Sequence, residues 1–460
     1  MKIAFTYNLQ VTDAEEEAEF DSPSTVRAIV SSLERLGHLV ESVDVSRPVS
    51  SIIAQLEEQL PDLIFNTAEG SKGRFREGFF PALFEQLGFI FTGSDAFVCT
   101  LTLDKHLTKL ALAARGIPTP RWVFVDNLED WRDPDLRYPL IVKPNAEGSS
   151  MGIGQHSVIQ DATQLRGSLA VALRHYPDGM IVEEYISGRD VVVPFLESAS
   201  PEAGGVLAAC EYSVDEAIAG RRKYQIYDYE LKHSLSDAVT VIAPAKLSPA
   251  LAQRLHSLSL QAYRALGIRD LGRIDFRISD AGEPFFVEAN ALPSLEPGAG
   301  IYAAARLAGL ETTEQVLDAV IQSALRRRTA VRPAVNSFPV RSSPGKGRGV
   351  FAQRSWQPGE LIERAPVLAL SPADTKTIQN TLLDSYYYVW GNASDEAAIA
   401  LGYGSLYNHS WEPNAIYVRR PELNEIHFLA HRSIAPGDEI TVNYNGSPGS
   451  RDPLDFVPVL

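Results

Sequence analysis

The sequence predicts an α/β and α+β part in three segments, followed by a mainly β tail. Three observations predict it. Through the first two thirds, runs of period two alternate with runs at helical spacing, the pattern of strands carrying helices on their faces. A stretch without periodicity, RRRTAVRPAVNS at 326–337, then interrupts the chain. Beyond it helices are few, strands are short, and turns such as PGKGRG, QPGE and APGDE recur.

In the first segment Lys2–Tyr7 reads as a strand and Ser24–Leu36 as a helix stopped by Gly37. Leu39–Val45 is a strand, Ile52–Gln59 a helix, Leu63–Asn66 a short buried strand, and Phe79–Leu87 a helix closed by Gly88. Such alternation implies a parallel sheet. The second segment opens at Ser94. It holds a helix over Asp104–Arg115 and strands at Trp122–Val125 and Leu140–Val142, before a Gly/Ser-rich loop at Asn145–Gly154. The third has strands near Met180–Glu184, Val191–Leu196, Val206–Glu211, Val239–Ala243, Gly272–Ile278 and Pro284–Glu288, with helices at Pro249–Leu266 and Thr313–Arg326.

Composition excludes several classes. The 460 residues carry a formal charge of −16, a poor match to the cationic surface that phosphate backbones require, so no nucleic acid partner is expected. No apolar run reaches the roughly 18 residues of a spanning helix, so no membrane partner is expected. Cys99 and Cys210 are too few for a disulfide framework, and the start reads as a strand rather than a signal peptide. A cytoplasmic protein is the expectation. Residues 338–460 hold 10 Lys+Arg against 13 Asp+Glu, so the acidity belongs mainly to the first part.

Two stretches of that part carry chemistry. In IVKPNAEGSSMGIG (141–154) a Lys ends a strand and a loop of small residues follows, a combination that lets backbone N–H groups and one cation meet phosphate oxygens. In GRIDFRISDAGEPFFVEANALP (272–293) Asp275 lies on one strand, while Glu288 and Asn290, two apart and on one face, end the next. A turn at Ser279–Glu283 joins them. Three oxygen donors without Cys or His suit Mg²⁺ shared with phosphates.

With FNTAEGSKGRFREGFFPALFEQLGFIFTGSD (65–95), LDKHLTKL (103–110), IVEEYISGRD (181–190) and IYDYELKH (226–233), these stretches resemble the ATP-grasp superfamily, and within it the D-alanine–D-alanine ligase-like enzymes, over about residues 1–325. The resemblance implies an ATP-grasp ligase of three lobes and an acyl-phosphate route to an amide bond. It implies ATP phosphate contacts from Lys105 and Lys143, and a covering loop of Glu147, Ser149, Ser150 and Gly152. It implies an adenine hinge at Glu183, Glu184, Tyr185 and Ile186, and a ribose contact from Asp190 where the family usually has Glu. Lys232 would lie near the γ-phosphate, Arg273 would steady the acyl phosphate, and Asp275, Glu288 and Asn290 would hold two Mg²⁺, with Mn²⁺ as a substitute. Amino-acid or peptide substrates and a homodimer follow from the same resemblance. The segment after the metal Asn, NALPSLEPGAG (290–300), departs from the family's Gly-rich pattern. Glu19, Asp21, Glu69, Ser294 and Glu296 are candidate substrate contacts, and a surface role is an equal reading of each.

In the tail, SPGKGRGVFA (343–352), NHSWEPN (408–414) and GDEITVNYNG (437–446) stand in an order that resembles the SET domain of protein-lysine methyltransferases. WQPGELIERAPVLAL (356–370) and LLDSYYYVWG (382–391) add to it. The resemblance implies S-adenosylmethionine beside Lys346, Gly347, Arg348, Gly349, Asn408 and His409, with Tyr444 at the methyl-transfer point. A protein, a peptide or the ligase product would be methylated. The tail has no Cys, so zinc-dressed SET architecture is excluded; Phe456 is a candidate aromatic lid. The expected domains are 1–97, 98–182 and 183–327 for the ligase lobes, a linker at 328–336, and 337–460 for the SET unit. Two alternatives stay open: a methyltransferase that uses the ATP-grasp part for recruitment, or a ligase with a non-catalytic SET docking module.

Overall fold

A computed structural model describes residues 1–129, 131–330, 338–379, 381–391 and 396–454. The chain forms two compact units, Met1–Ala330 and Val331–Leu460.

The first unit contains three sheets. Near its start, Lys2–Tyr7 lies between Leu39–Asp44 and Leu63–Asn66, all parallel. Helix Pro23–Arg35 returns the chain between the first two strands. Ser22 starts this helix by accepting a hydrogen bond from Thr25 N at 3.1 Å, and Pro23 needs no N–H at the first position. Ile29 and Leu33, four apart, are buried against the sheet, each contributing about 1.5–3 kcal/mol. The same core takes in Ile301, Leu317, Val320 and Ile321 from helices Gly300–Leu307 and Thr313–Ala330, so the end of the unit closes over its beginning.

A four-stranded antiparallel sheet, in the order Trp122–Val125, Met180–Glu184, Leu140–Pro144, Val158–Ile159, packs with helix Ala162–His175 around its own small core. A five-stranded antiparallel sheet runs Val239–Ile242, Cys210–Val214, Gly188–Leu196, Leu271–Ser279, Pro284–Asn290. Helix Pro249–Leu266 covers one face of it, capped by Ser248 and ended at Gly267 with φ +78°.

Several elements differ from expectation: helices Ala162–His175 and Gly300–Leu307 and strand Val158–Ile159 were not expected, and two further differences have a plain cause. The expected strand Val206–Glu211 is mostly a buried connection, and the strand begins at Cys210. Gly204 and Gly205 both take positive φ, and Val206 keeps only one bridge, to Phe195. Helix Ala96–Leu103 was not legible, because AFVCTLTL is apolar nearly all round and offers no stripe. Asp95 caps it by accepting from Val98 N at 3.0 Å.

The second unit is mainly strands. One sheet orders Val340–Ser343, Gly347–Phe351, Glu439–Val442 and Asn408–His409. The other orders Tyr387–Val389, Ala397–Ala400, Leu361–Leu370, Glu425–Ala430 and Ala415–Arg420. Trp356, Tyr407, Phe428 and Ile440 are central in its core. Phe456, the candidate lid, lies outside the described residues, as do residues 331–336 of the expected linker.

Candidate active sites

In the first unit a cavity of about 490 Å³ is lined by residues of all three sheets and their loops. Of the ligase positions singled out above, only Gly152 is absent from its lining. Gly152 instead makes a turn at φ +68° and donates its N–H to Glu15 at 2.8 Å.

Cations gather at one end. Lys143 Nζ lies 2.6 Å from Glu183 Oε1, and Lys109 Nζ lies 2.9 Å from Glu183 Oε2. Burial alone would raise the Glu183 carboxyl, but the two ammoniums hold it below the usual carboxylate range. Lys109 is fully buried, and burial pulls its pKa down to about 8 although Glu183 opposes the shift. Glu183 therefore braces Lys143, the lysine near the end of its strand. Lys105 donates to Glu147 O and lies 3.3 Å from Glu288 Oε2.

The loop after Lys143 is fastened at both serines. Ser149 and Ser150 take φ of +47° and +58°, an unfavourable region for residues with a Cβ, costing about 1–3 kcal/mol each. Lys232 Nζ donates to Ser149 Oγ at 2.9 Å, and Ser150 Oγ donates to Tyr227 O at 3.0 Å. Both partners come from the IYDYELKH segment, whose second half forms helix Tyr229–His233.

On the hinge, Glu184 is buried and ion-paired with Arg137 at 3.1 Å and Arg121 at 3.4 Å. Asp190 is held by Arg277 at 2.9 Å and accepts from Tyr227 N at 3.2 Å. Arg277 Nε also donates to Ile186 O at 2.9 Å, and its guanidinium lies over the Tyr185 ring. Arg277 thus ties the hinge to Asp190.

The carboxylate hairpin owes its geometry to a bulge. Arg273, Asp275 and Arg277 alternate with the core residues Ile274, Phe276 and Ile278 along Leu271–Ser279. On the partner strand, Phe286 pairs with Phe276 but Glu288 pairs with Asp275, leaving Val287 as an extra residue. Strict alternation would have put Phe286 and Glu288 on one face. The bulge turns Phe286 and Ala289 into the core and Glu288 and Asn290 toward the cavity. Arg273 grips Asp275 bidentately, at 2.7 and 2.8 Å. Burial lifts the Asp275 carboxyl. Burial also works to raise Glu288, yet Lys105, Lys143 and Arg273 bring it down to about 2. The buried Nδ2 of Asn290 has no hydrogen-bond partner among the described residues. The Asp275 and Glu288 carboxylates with the Asn290 amide oxygen are a set of oxygen donors that fits a hard divalent cation.

Glu19, Asp21, Glu69, Ser294 and Glu296, together with Glu77, also line the cavity. Arg76 pairs with Glu19 at 2.7 Å and Glu147 at 3.3 Å.

Residues absent from the sequence expectations are Lys109, Arg76, Glu77 and Arg277. Two of them had a usable signal. Lys109 follows Lys105 by four on one helix face, and Arg277 continues the alternation of Arg273 and Asp275.

In the second unit the three tail motifs meet. Asn408 Nδ2 donates to Arg348 O at 3.1 Å and to Glu439 Oε1 at 2.7 Å, while Ser343 Oγ donates to Glu439 Oε2 at 2.8 Å. Lys346 Nζ reaches His409 O at 3.4 Å. His409 Nδ1 accepts from Tyr444 N at 3.2 Å, and burial, helped by Lys346 and Arg451, lowers its pKa. The ring is therefore neutral with its proton on Nε2. Tyr444 Oη donates to Tyr407 O at 3.0 Å, and burial raises the phenol to about 12, so it remains a donor at neutral pH. Gly347 takes φ +77°, and a Cβ on Gly349 would run into Glu439 and Asn408. Gly349→Ala is expected to cost the second unit about 1–3 kcal/mol by overpacking, read as a lowered denaturant midpoint.

Three parallel or antiparallel sheets around one cavity of lysines, a fastened Gly/Ser loop and a carboxylate hairpin define an ATP-grasp protein. The family profile described as D-ala D-ala ligase C-terminus matches residues 111–322, and the SET domain profile matches residues 347–445. A D-alanine–D-alanine ligase of Synechococcus sp. (strain JA-3-3Ab) is 31% identical over 314 residues, covering 67% of this chain and 91% of that protein. One from Sinorhizobium fredii is 31% identical over 295 residues, covering 64% and 90%. The crystal structure of D-alanine–D-alanine ligase from Bacillus anthracis complexed with ATP superposes with a TM-score of 0.57 at 21% identity, covering 72% of this chain and 99% of that one. The chain belongs to the D-alanine–D-alanine ligase family, and it carries a SET domain after the ligase part.

Proposed function

We propose that the first unit is an ADP-forming ligase that joins the carboxylate of an amino acid or small peptide to an amine. The observation that carries this reading is the meeting of Lys105, Lys143, Lys232 and Arg273 with Asp275, Glu288 and Asn290 in one cavity. The carboxylate oxygen takes the terminal phosphoryl group of ATP, releasing ADP. The amine nitrogen then attacks the acyl carbon, phosphate leaves, and the nitrogen loses a proton. Lys143, braced by Glu183, and Lys232, on Ser149, would hold phosphate oxygens in line. Arg273 would meet the negative charge that grows on the acyl oxygen. Asp275, Glu288 and Asn290 would hold two Mg²⁺, or Mn²⁺, which when bound offset phosphate charge. Glu183 to Ile186 would receive adenine and Asp190 the ribose.

In the same proposal the SET domain binds S-adenosylmethionine along Lys346–Gly349, Asn408 and His409, and methylates a lysine or other amine. The bound cofactor supplies the methyl group; the Tyr444 hydroxyl and the Tyr407 carbonyl orient a neutral amine. A cytoplasmic setting accords with two buried free thiols, Cys99 and Cys210, and among the described residues no helix is long and apolar enough to cross a membrane. A homodimer is part of the proposal, tested by sedimentation.

The ligase test incubates the protein with ATP, Mg²⁺ and pools of amino acids and amines, and reads ADP and product masses. No ADP with any pool overturns the ligase reading. For the tail, calorimetry with S-adenosylmethionine is decisive: absent binding overturns the methyltransferase reading. Tyr444→Phe is expected to retain cofactor binding within about 3-fold while methyl transfer to a peptide pool falls by about 10²-fold, the loss of an orienting hydroxyl.

A further inference from the structure

Arg277 stands directly opposite Asp190 on neighbouring antiparallel strands, so the two side chains share the sheet face that lines the ligase cavity. The Arg277 side chain is buried, and its guanidinium divides its donors among three separate segments. Nη1 lies 2.9 Å from Asp190 Oδ2, Nε donates to the hinge carbonyl of Ile186 at 2.9 Å, and Nη2 donates to Tyr185 Oη at 3.3 Å and to Gln225 O. A Cβ at Gly188 would strike Ile278 O, so the chain leaving the hinge runs hard against the strand that carries Arg277. Tyr227, two residues after Gln225, donates its N–H to the same Asp190 Oδ2 at 3.2 Å. Both donors therefore meet one oxygen. Asp190 Oδ1 has no partner among the described residues, and the side chain is 30% exposed in the cavity wall.

Resting on the ribose contact proposed above, we propose that Arg277 is a positioning residue for sugar recognition: it pins one oxygen of Asp190 and presents the other to a ribose hydroxyl, so that the site selects ribonucleotides over deoxynucleotides. An ionised carboxylate only accepts hydrogen bonds, and its two oxygens exchange places when the group turns. A planar, charged fork stops that turning, because several of its donors are fixed at once. Here the fork is anchored on the hinge and on the Gln225 segment, so Asp190 is held relative to both. In this assignment Arg277 makes no contact of its own with the nucleotide and acts through Asp190.

The test is calorimetry on the full chain with Mg²⁺ and no amino acid, titrating ATP, 2′-deoxyATP and 3′-deoxyATP. ATP is expected to bind about 10-fold or more tightly than at least one deoxynucleotide, the equivalent of about 1.4 kcal/mol. In Arg277→Met that ratio should fall to within about 2-fold. A structural role alone would weaken all three nucleotides alike, so the parent's ratio in Arg277→Met, with the fold checked by circular dichroism, overturns the proposal. If Arg277→Met does not fold, Arg277→Lys takes its place. A point cation cannot reach Asp190, the hinge carbonyl and Gln225 O together, so the ratio should fall to within about 3-fold, and the parent's ratio there overturns the proposal. Equal binding of ATP and both deoxynucleotides by the parent also overturns it and leaves the ligase reading standing. Absent ATP binding strikes the ligase reading itself, and this proposal with it.

Discussion

Asp275→Asn is expected to lower ATP-dependent turnover by about 10²–10³-fold, measured as ADP release in the presence of the amine and amino-acid pools. Two effects converge on this carboxylate. It opposes Glu288 across the bulged hairpin, so its loss removes one of the three oxygen donors proposed for the cations. It also grips Arg273 bidentately, so its loss would loosen the guanidinium proposed to meet the acyl oxygen. Asn is nearly isosteric, so the fold should survive, and unchanged near-ultraviolet dichroism would separate chemistry from unfolding. Turnover within about 3-fold of the parent would remove Asp275 from the proposed machinery.

Lys109→Met is expected to destabilise the first unit by about 3–5 kcal/mol, because Glu183 would keep a buried charge facing only Lys143. For a unit of this size that is a fall in its thermal midpoint on the order of 10 °C. Because Glu183 braces Lys143, nucleotide affinity should fall in the surviving folded fraction. Lys109→Met combined with Glu183→Gln should recover much of the stability, since the double change removes the stranded charge rather than exposing it. A single variant as stable as the parent would show that the pair is not a supporting strut.

The legible part of this protein was the part governed by nearest neighbours in sequence. Leu63–Asn66 reads as a strand because four apolar or small polar residues lie between turn signals. Pro249–Leu266 reads as a helix because its cap, first-turn Pro and terminal Gly flank a stripe at helical spacing. The ordered motifs carried the family resemblances, and the fold agrees with them. Helix Ala96–Leu103 was not legible because it has no polar face, and such a helix takes its shape from its surroundings. Val206–Glu211 misled because buried apolar residues were read as a strand, although positive-φ glycines start the segment.

The candidate sites divide in the same way. Lys143, the Gly/Ser loop and the three oxygen donors are legible from local spacing, because each motif is short and continuous. Which of those side chains stay free does not. The bracing of Lys143 through Glu183 onto Lys109, the hold of Arg277 on Asp190, and the pairing of Arg76 with Glu19 and Glu147 join residues tens of positions apart. Their charges are set by burial and by neighbours that only the folded chain supplies. Sequence spacing could name the chemistry; packing decided where charge is balanced and where it is left for a ligand, because desolvation acts only on groups that the tertiary structure has removed from water.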